Sequence, residues 1–134
     1  MPLTVEVVSP ERVLYSGEGD MVVCRTSEGE IAFLPGHTRF LGALGIGVVR
    51  SILPEQGEQA IAVHGGFVEV ANDRVIVLSD VAELAEQIDV ERARRALQRA
   101  EERLAADPDD EEAQAALLRA RTRLEVAGTI ERTS

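Results

Sequence analysis

The sequence predicts an α+β protein in which an N-terminal antiparallel β-sandwich is followed by a C-terminal antiparallel two-helix hairpin. Up to Asp80 the chain falls into short β-branched runs separated by glycines and other turn residues. From Val81 onward alanine, glutamate, arginine and leucine replace the strand formers. In that second part apolar residues recur at steps of three and four in two stretches, with Asp-Pro-Asp-Asp between them. The division is placed between residues 86 and 87: residues 1–86 form the sandwich and residues 87–134 the hairpin.

The strand runs are LTVEVVS, RVLYSGEGDMVVCRT, EIAFLP, GVVRSIL, QAIAVHG, GFVEVAN and RVIVLSD. Val5 and Val7 alternate with Thr4 and Glu6, Ile61 and Val63 with Ala60 and Ala62, and Val68 and Val70 bracket Glu69, which is the period of a strand. Gly17, Gly19, Gly29, Gly47, Gly57, Gly65 and Gly66, with Asn72–Arg74, are expected to turn the chain between them. Asp89 is a good N-cap for a first helix, and Val90, Ala93, Leu97, Ala100 and Leu104 draw one stripe along it as far as Ala106. Asp107 is expected to cap a second helix with Pro108 in its first position, and the acidic run to Glu112 suits the positive end of its dipole. Ala113, Leu117, Ala120, Leu124 and Ala127 continue the stripe, with Gly128 as a stop. So short a connection makes the helices antiparallel neighbours. Their alanine-rich seam lets them approach closely while burying little apolar area, so the hairpin is expected to be marginal. Opened into one rod, it would reach on the order of 55 Å.

Composition excludes several classes of function. The chain carries a formal charge of −10 over 134 residues and has no lysine, so duplex nucleic acid is a poor partner. The opening MPLTVEVVSP lacks the charged and apolar parts of a leader, and the apolar run from Phe40 to Val49 is too short to span a bilayer. The single cysteine, Cys24, fits a reducing compartment and reads as a buried strand residue. His37 and His64 have no ligand-spaced partners for a metal, and no nucleophile signature accompanies them. GALGIG, residues 42–47, lacks the lysine and hydroxyl residue of a phosphate-binding loop and reads as a turn before a strand. No catalytic group is expected.

One feature of the second part asks for an explanation. Arg92, Arg95, Arg99 and Arg103 step by three, four and four along one helix, and Arg119 and Arg123 repeat the spacing on the other. Like charges so placed oppose a helix by about 0.2–0.5 kcal/mol per pair. Either the ridge is a solvated face relieved by Glu91, Glu101, Glu102 and Glu125, or it awaits an anionic ligand or an acidic partner helix. Asp89 likewise reads either as a plain cap or as a ligand group, and Ile88 as the apolar residue that precedes a cap.

The segment SEGEIAFLPGHTRFLGALGIGVVR, followed by VHGGFVEVANDRVIVLSDVAE, resembles the epsilon subunit of F-type ATP synthases, the delta subunit in mitochondrial naming. The match runs in order along nearly the whole chain. It departs at Ala32, where the family often has glycine, and at TRFLGALGIG, where it often carries APLLTALKPG. The resemblance implies a non-catalytic rotor subunit of a proton-translocating synthase, held peripherally on the cytoplasmic side of the cell membrane. Its sandwich would join the gamma subunit and the c-ring, and its mobile hairpin would regulate hydrolysis by meeting the alpha and beta subunits. No cofactor is implied as a requirement, but the resemblance implies ATP as a regulatory ligand. A motif of the form Ile/Leu-Asp-x-x-Arg-Ala is matched by Ile88, Asp89, Arg92 and Ala93, and Arg99 with Arg119 or Arg123 would reach the phosphates. Glu30, His37 and the loop to Leu44 are the implied ring-facing positions. A different class of reading, a free adaptor presenting a helical hairpin to client proteins, is compatible with the periodicities alone.

Overall fold

The computed structural model describes residues 2–133 apart from 27 and 56, with side chains as far as residue 128. Eight strands come first: β1 (Leu3–Val8), β2 (Val13–Gly19), β3 (Met21–Thr26), β4 (Gly29–Phe33), β5 (Phe40–Leu53), β6 (Gly57–Ala71), β7 (Arg74–Leu78) and β8 (Ala82–Leu84). A single 3-10 turn, Ala85–Gln87, leads into α1 (Val90–Ala106) and α2 (Glu111–Thr133).

The strands pair in the order β2-β1-β7-β6-β5-β3-β4, with β8 also on β6. The two long strands belong to both layers. Residues 40–43 of β5 and 67–71 of β6 lie with β7, β1 and β2, whereas the remainder of β5 and β6 lies with β3, β4 and β8. The crossing point on β6 is Gly65-Gly66, both with positive φ, and a Cβ on Gly66 would run into the Leu78 carbonyl. All ladders are antiparallel except one. β1 runs parallel to β7, Thr4 facing Arg74 and Val8 facing Leu78, which corrects the wholly antiparallel expectation. Strand alternation specifies which face is buried but carries no direction for a partner some 70 residues away.

Inward-facing Leu3, Val5, Val7, Val22, Cys24, Phe33, Val49, Ile61, Val63, Val68, Val70, Val75 and Val77 fill the space between the layers. Cys24 is fully buried there, and that burial pushes its thiol pKa up to about 12. Not every glycine turns the chain. Gly17 and Gly47 lie inside strands, and at Gly47 the missing side chain makes room for Arg25, whose Cβ would stand 2.9 Å from a Cβ there. The β6–β7 turn is made by Asn72 and Asp73, with φ of 52° and 59°, and Arg74 already belongs to β7.

Ala60 and Ala62 alternate with Ile61 and Val63, yet all four are buried, because the outer face of this layer is covered. Val126 and Ala127 of α2, with Ala85 and Ile88, pack on Val48, Ala60 and Ala62 in a second, smaller core. The helices meet each other through Ala93, Ala100, Ala113 and Ala120, the alanine seam read from the sequence. Arg50 ties the hairpin down from β5, its guanidinium 2.8 Å from Glu125 of α2 and 2.8 Å from Glu58. The opposite layer keeps an uncovered apolar row, in which Val13 faces Val8, Val8 faces Leu78 and Leu78 faces Phe67.

Two helix boundaries differ from expectation. Asp107 closes α1, its N–H donating to the Arg103 carbonyl at 2.9 Å, and Pro108 lies in the turn. Asp110 caps α2 instead, accepting from the Ala113 N–H at 3.0 Å. Gly128 does not stop α2, which continues to Thr133, since one glycine costs a helix only about 1 kcal/mol.

Candidate functional site

Between the helices and the sheet lies a cleft of about 550 Å³, lined by Glu83, Gln87, Asp89, Arg92, Ala93, Ala96, Arg99, Arg103, Ala116, Arg119 and Arg123. Its shape follows from the sequence of the two helices. Where α1 and α2 face one another the residues are alanines, too short to fill the gap, and the next positions outward on both helices are arginines. The cleft therefore has a small, apolar floor and a cationic rim.

Asp89 caps α1, one carboxylate oxygen accepting from the Arg92 N–H at 3.1 Å, and the same residues stand at the mouth of the cleft. Six of the seven positions implied by the resemblance, namely Asp89, Arg92, Ala93, Arg99, Arg119 and Arg123, line this one cavity. Ile88 does not. It is buried beneath α1 in the small core and helps set where the helix starts. Arg95 is not among the lining residues; Ala96 takes its place, so the ridge on α1 runs Arg92, Ala96, Arg99, Arg103.

Relief of the arginine repulsion comes mostly from carboxylates other than those expected. Arg103 reaches Asp110 across the interhelical turn at 3.0 Å, Arg119 reaches Glu112 at 2.8 Å, and Arg123 Nε reaches Glu83 at 2.6 Å. Glu91 pairs with Arg94, and Glu125 with Arg50 on the sandwich. Hydrogen bonding from the Ala113 N–H, then from Arg103, holds the Asp110 carboxyl below its ordinary range. Arg92 and Arg99 have no side-chain partner among the described residues. They are the two cations on the rim that no carboxylate already satisfies.

Beneath the rim, Glu83 Oε1 also receives His64 Nε2 at 3.2 Å. The His64 side chain is only 4% exposed. Because a carboxylate can only accept, Nε2 carries the hydrogen, and Nδ1 is left buried with no partner. Burial pushes the His64 pKa below its usual value, Glu83 opposes this, and Arg123 and Arg119 reinforce it. Glu83 and Gln87 escaped the sequence reading because they approach from the strand side of the chain; the Glu83–Arg123 contact spans 40 residues. Arg103 was visible as part of the ridge but not as part of a site.

The two positions implied to face a ring are not neighbours in one cleft. His37 lies at the end of the sandwich beside Gly36, Arg39 and the 72–73 turn, its ring edge-on to Phe33 at 4.9 Å. Glu30 lies beside α2, in a hollow with Arg25, Arg121 and Glu125, and is 3.8 Å from Arg50. Among the described residues there is no group of three or more His, Cys, Asp or Glu able to hold a metal ion.

Two family profiles together match residues 2–128. The beta-sandwich domain of the ATP synthase delta/epsilon chain matches residues 2–85, and the long alpha-helix domain of the same chain matches residues 86–128. A protein named ATP synthase epsilon chain from Thermobifida fusca is 52% identical over 128 residues, covering 93% of this chain and 91% of that one. One of the same name from Streptomyces griseus is 48% identical over 98 residues, covering 73% and 79%. In fold, the chain is similar to one in the Euglena gracilis mitochondrial ATP synthase structure, with a TM-score of 0.69 at 22% identity, over 98% of this chain and 81% of that chain.

Proposed function

This chain belongs to the ATP synthase delta/epsilon family, as a non-catalytic epsilon-type subunit, and we propose that it is a central-stalk component whose hairpin senses ATP and regulates hydrolysis. That membership removes the ground for a free adaptor. The single observation that carries the sensing role is the convergence of Asp89, Arg92 and Arg99 from α1 with Arg119 and Arg123 from α2 on one cleft. A ligand that bridges these residues binds only while the two helices are folded together. It stabilises that state by RT ln(1 + [L]/Kd), about 1.4 kcal/mol at ten times Kd. The alanine floor admits a flat base, Asp89 accepts from an exocyclic amine, and the rim arginines meet the phosphates with charge-assisted hydrogen bonds.

The remainder of the stalk role rests on the surfaces the hairpin leaves open. The apolar row at Val13, Leu78 and Phe67, exposed by 54%, 47% and 55%, is the proposed seat of the gamma subunit. The His37 loop and the 72–73 turn, joined by the Gly36 N–H to Asp73 at 2.7 Å, form the end proposed to meet the c-ring, and through it the chain would be held at the membrane. Among the described residues no helix is long and apolar enough to cross a membrane. Released from the sheet, the arginine-rich hairpin would engage acidic surface on the beta and alpha subunits.

Titration calorimetry with ATP on the full chain tests the sensing role. Arg92→Ala is expected to weaken binding by about 10-fold or more, the worth of a hydrogen bond to a charged group. Arg94→Ala, on the outer face and paired with Glu91, is expected to leave binding unchanged. Equal affinity in parent and Arg92→Ala, or no heat at millimolar ATP, would refute it.

A further inference from the structure

Arg123 is shared between two demands. Its guanidinium lines the cleft, while its Nε is held by Glu83, and the same Glu83 oxygen holds His64. A phosphate arriving on the rim competes with Glu83 for Arg123 and adds negative charge above it. The carboxylate then loses part of its cationic partner, and among the described residues the titratable group already hydrogen-bonded to it, able to take up a replacement charge, is His64. We propose that occupation of the cleft by a polyphosphate is coupled to proton uptake by His64, relayed through Glu83 and Arg123. The proposal rests on the nucleotide-site reading above and assigns that site a pH dependence.

The charges around the imidazole set the direction. Glu83 faces it from β8, and Arg123 and Arg119 act on it from α2; Asp80, from the turn before β8, lines the same small cavity as His64 and Ser79. On its own strand and on β5, where it faces Ile46, it meets no charged side chain among its ladder partners. In the empty cleft burial, aided by Arg123 and Arg119 and opposed by Glu83, holds the ring's pKa below its ordinary value. Phosphate on the rim screens both arginines and leaves Glu83 in need of charge, so the proton is held more tightly in the occupied state. The group therefore adds to affinity fully at pH below its empty-state pKa, which lies under the ordinary histidine value. The contribution is lost as pH rises through the occupied-state pKa. His64 touches neither the cleft nor the ligand; it is a positioning residue that acts through Glu83.

Calorimetry of ATP binding by the full chain at about pH 6.5, in PIPES and in bis-Tris, counts the protons exchanged. ATP carries its own titrating phosphate, so the parent is compared with His64→Gln, whose amide keeps the donor to Glu83 but does not titrate. The parent is expected to take up more protons than His64→Gln and to tighten by up to about tenfold per unit fall in pH across the window, while His64→Gln follows the ligand alone. In the unmodified chain, the His64 imidazole resonance is expected to titrate at higher pH with ATP present than without it. Equal proton counts in two proteins that both bind ATP, or a His64 titration unmoved by ATP, would overturn the coupling while leaving the site intact. Failure of the parent to bind ATP at all would overturn the nucleotide site and the coupling with it.

Discussion

At the scale of single residues, three aspartates within four positions compete to begin α2, and the winner is the one with a second use. Asp110 accepts from the Ala113 N–H at 3.0 Å and also receives Arg103 at 3.0 Å, whereas Asp107 accepts from Asp109 within the turn. Removing Asp110 takes away a cap and an interhelical contact together. Asp110→Ala is expected to cost the hairpin about 1 kcal/mol, and Asp107→Ala clearly less, measured as loss of helical signal on thermal unfolding. The reverse order would return the cap to Asp107. Local signals resolved the start of α1, because Asp89 stands alone before a long stripe; they could not rank 107, 109 and 110, because each is a competent cap. The same limit hid Glu83, whose place in the cleft depends on a contact 40 residues away.

Between elements, the main disparity is in side-chain size. The sandwich core is valine, leucine, isoleucine and phenylalanine, while the hairpin is docked by Val126, Ala127 and Ile88 against Val48, Ala60 and Ala62. At about 25 cal/mol per Å² of apolar surface, the second contact stabilises far less than the first. The Arg50–Glu125 pair adds little, since both partners are partly exposed and such pairs contribute about 0–1 kcal/mol. Docking is thus separable from folding of the sheet. Val126→Ala, at a fully buried position, is expected to loosen docking by about 2 kcal/mol, a roughly 30-fold faster amide exchange in α2. Protection of β1, β6 and β7 amides should be unchanged, and its loss in step with α2 would show a single cooperative unit. The alternation at residues 60–63 was legible in the sequence, as was the alanine seam. That both faces of β6 are buried was not, because nothing within the strand distinguishes an alanine under a helix from one facing water.

For the whole molecule, weak docking and the proposed ligand-spanning cleft would give a two-state part on a fixed base. Deleting residues 88–134 removes the part and leaves every strand in place. In the assembled synthase this is expected to raise ATP hydrolysis while preserving coupling, assayed at low and high ATP; hydrolysis unchanged at both would make the hairpin a passive strut. Chain order and pairing order diverge in one place, the parallel ladder of β1 on β7. On the ribosome β1 emerges first and can at once find β2, but its other edge has no mate until residues 74–78 have been made. Closing so long a loop is slow compared with forming the hairpins between β3 and β6. The β1–β7 seam is therefore sealed late, with only the short β8–β6 ladder drawing on residues further along the chain before the helices. A nascent chain halted before residue 74 would expose the unpaired N–H and C=O groups along the β7-facing edge of β1, making that interval one in which this protein is open to mispairing with another copy of itself.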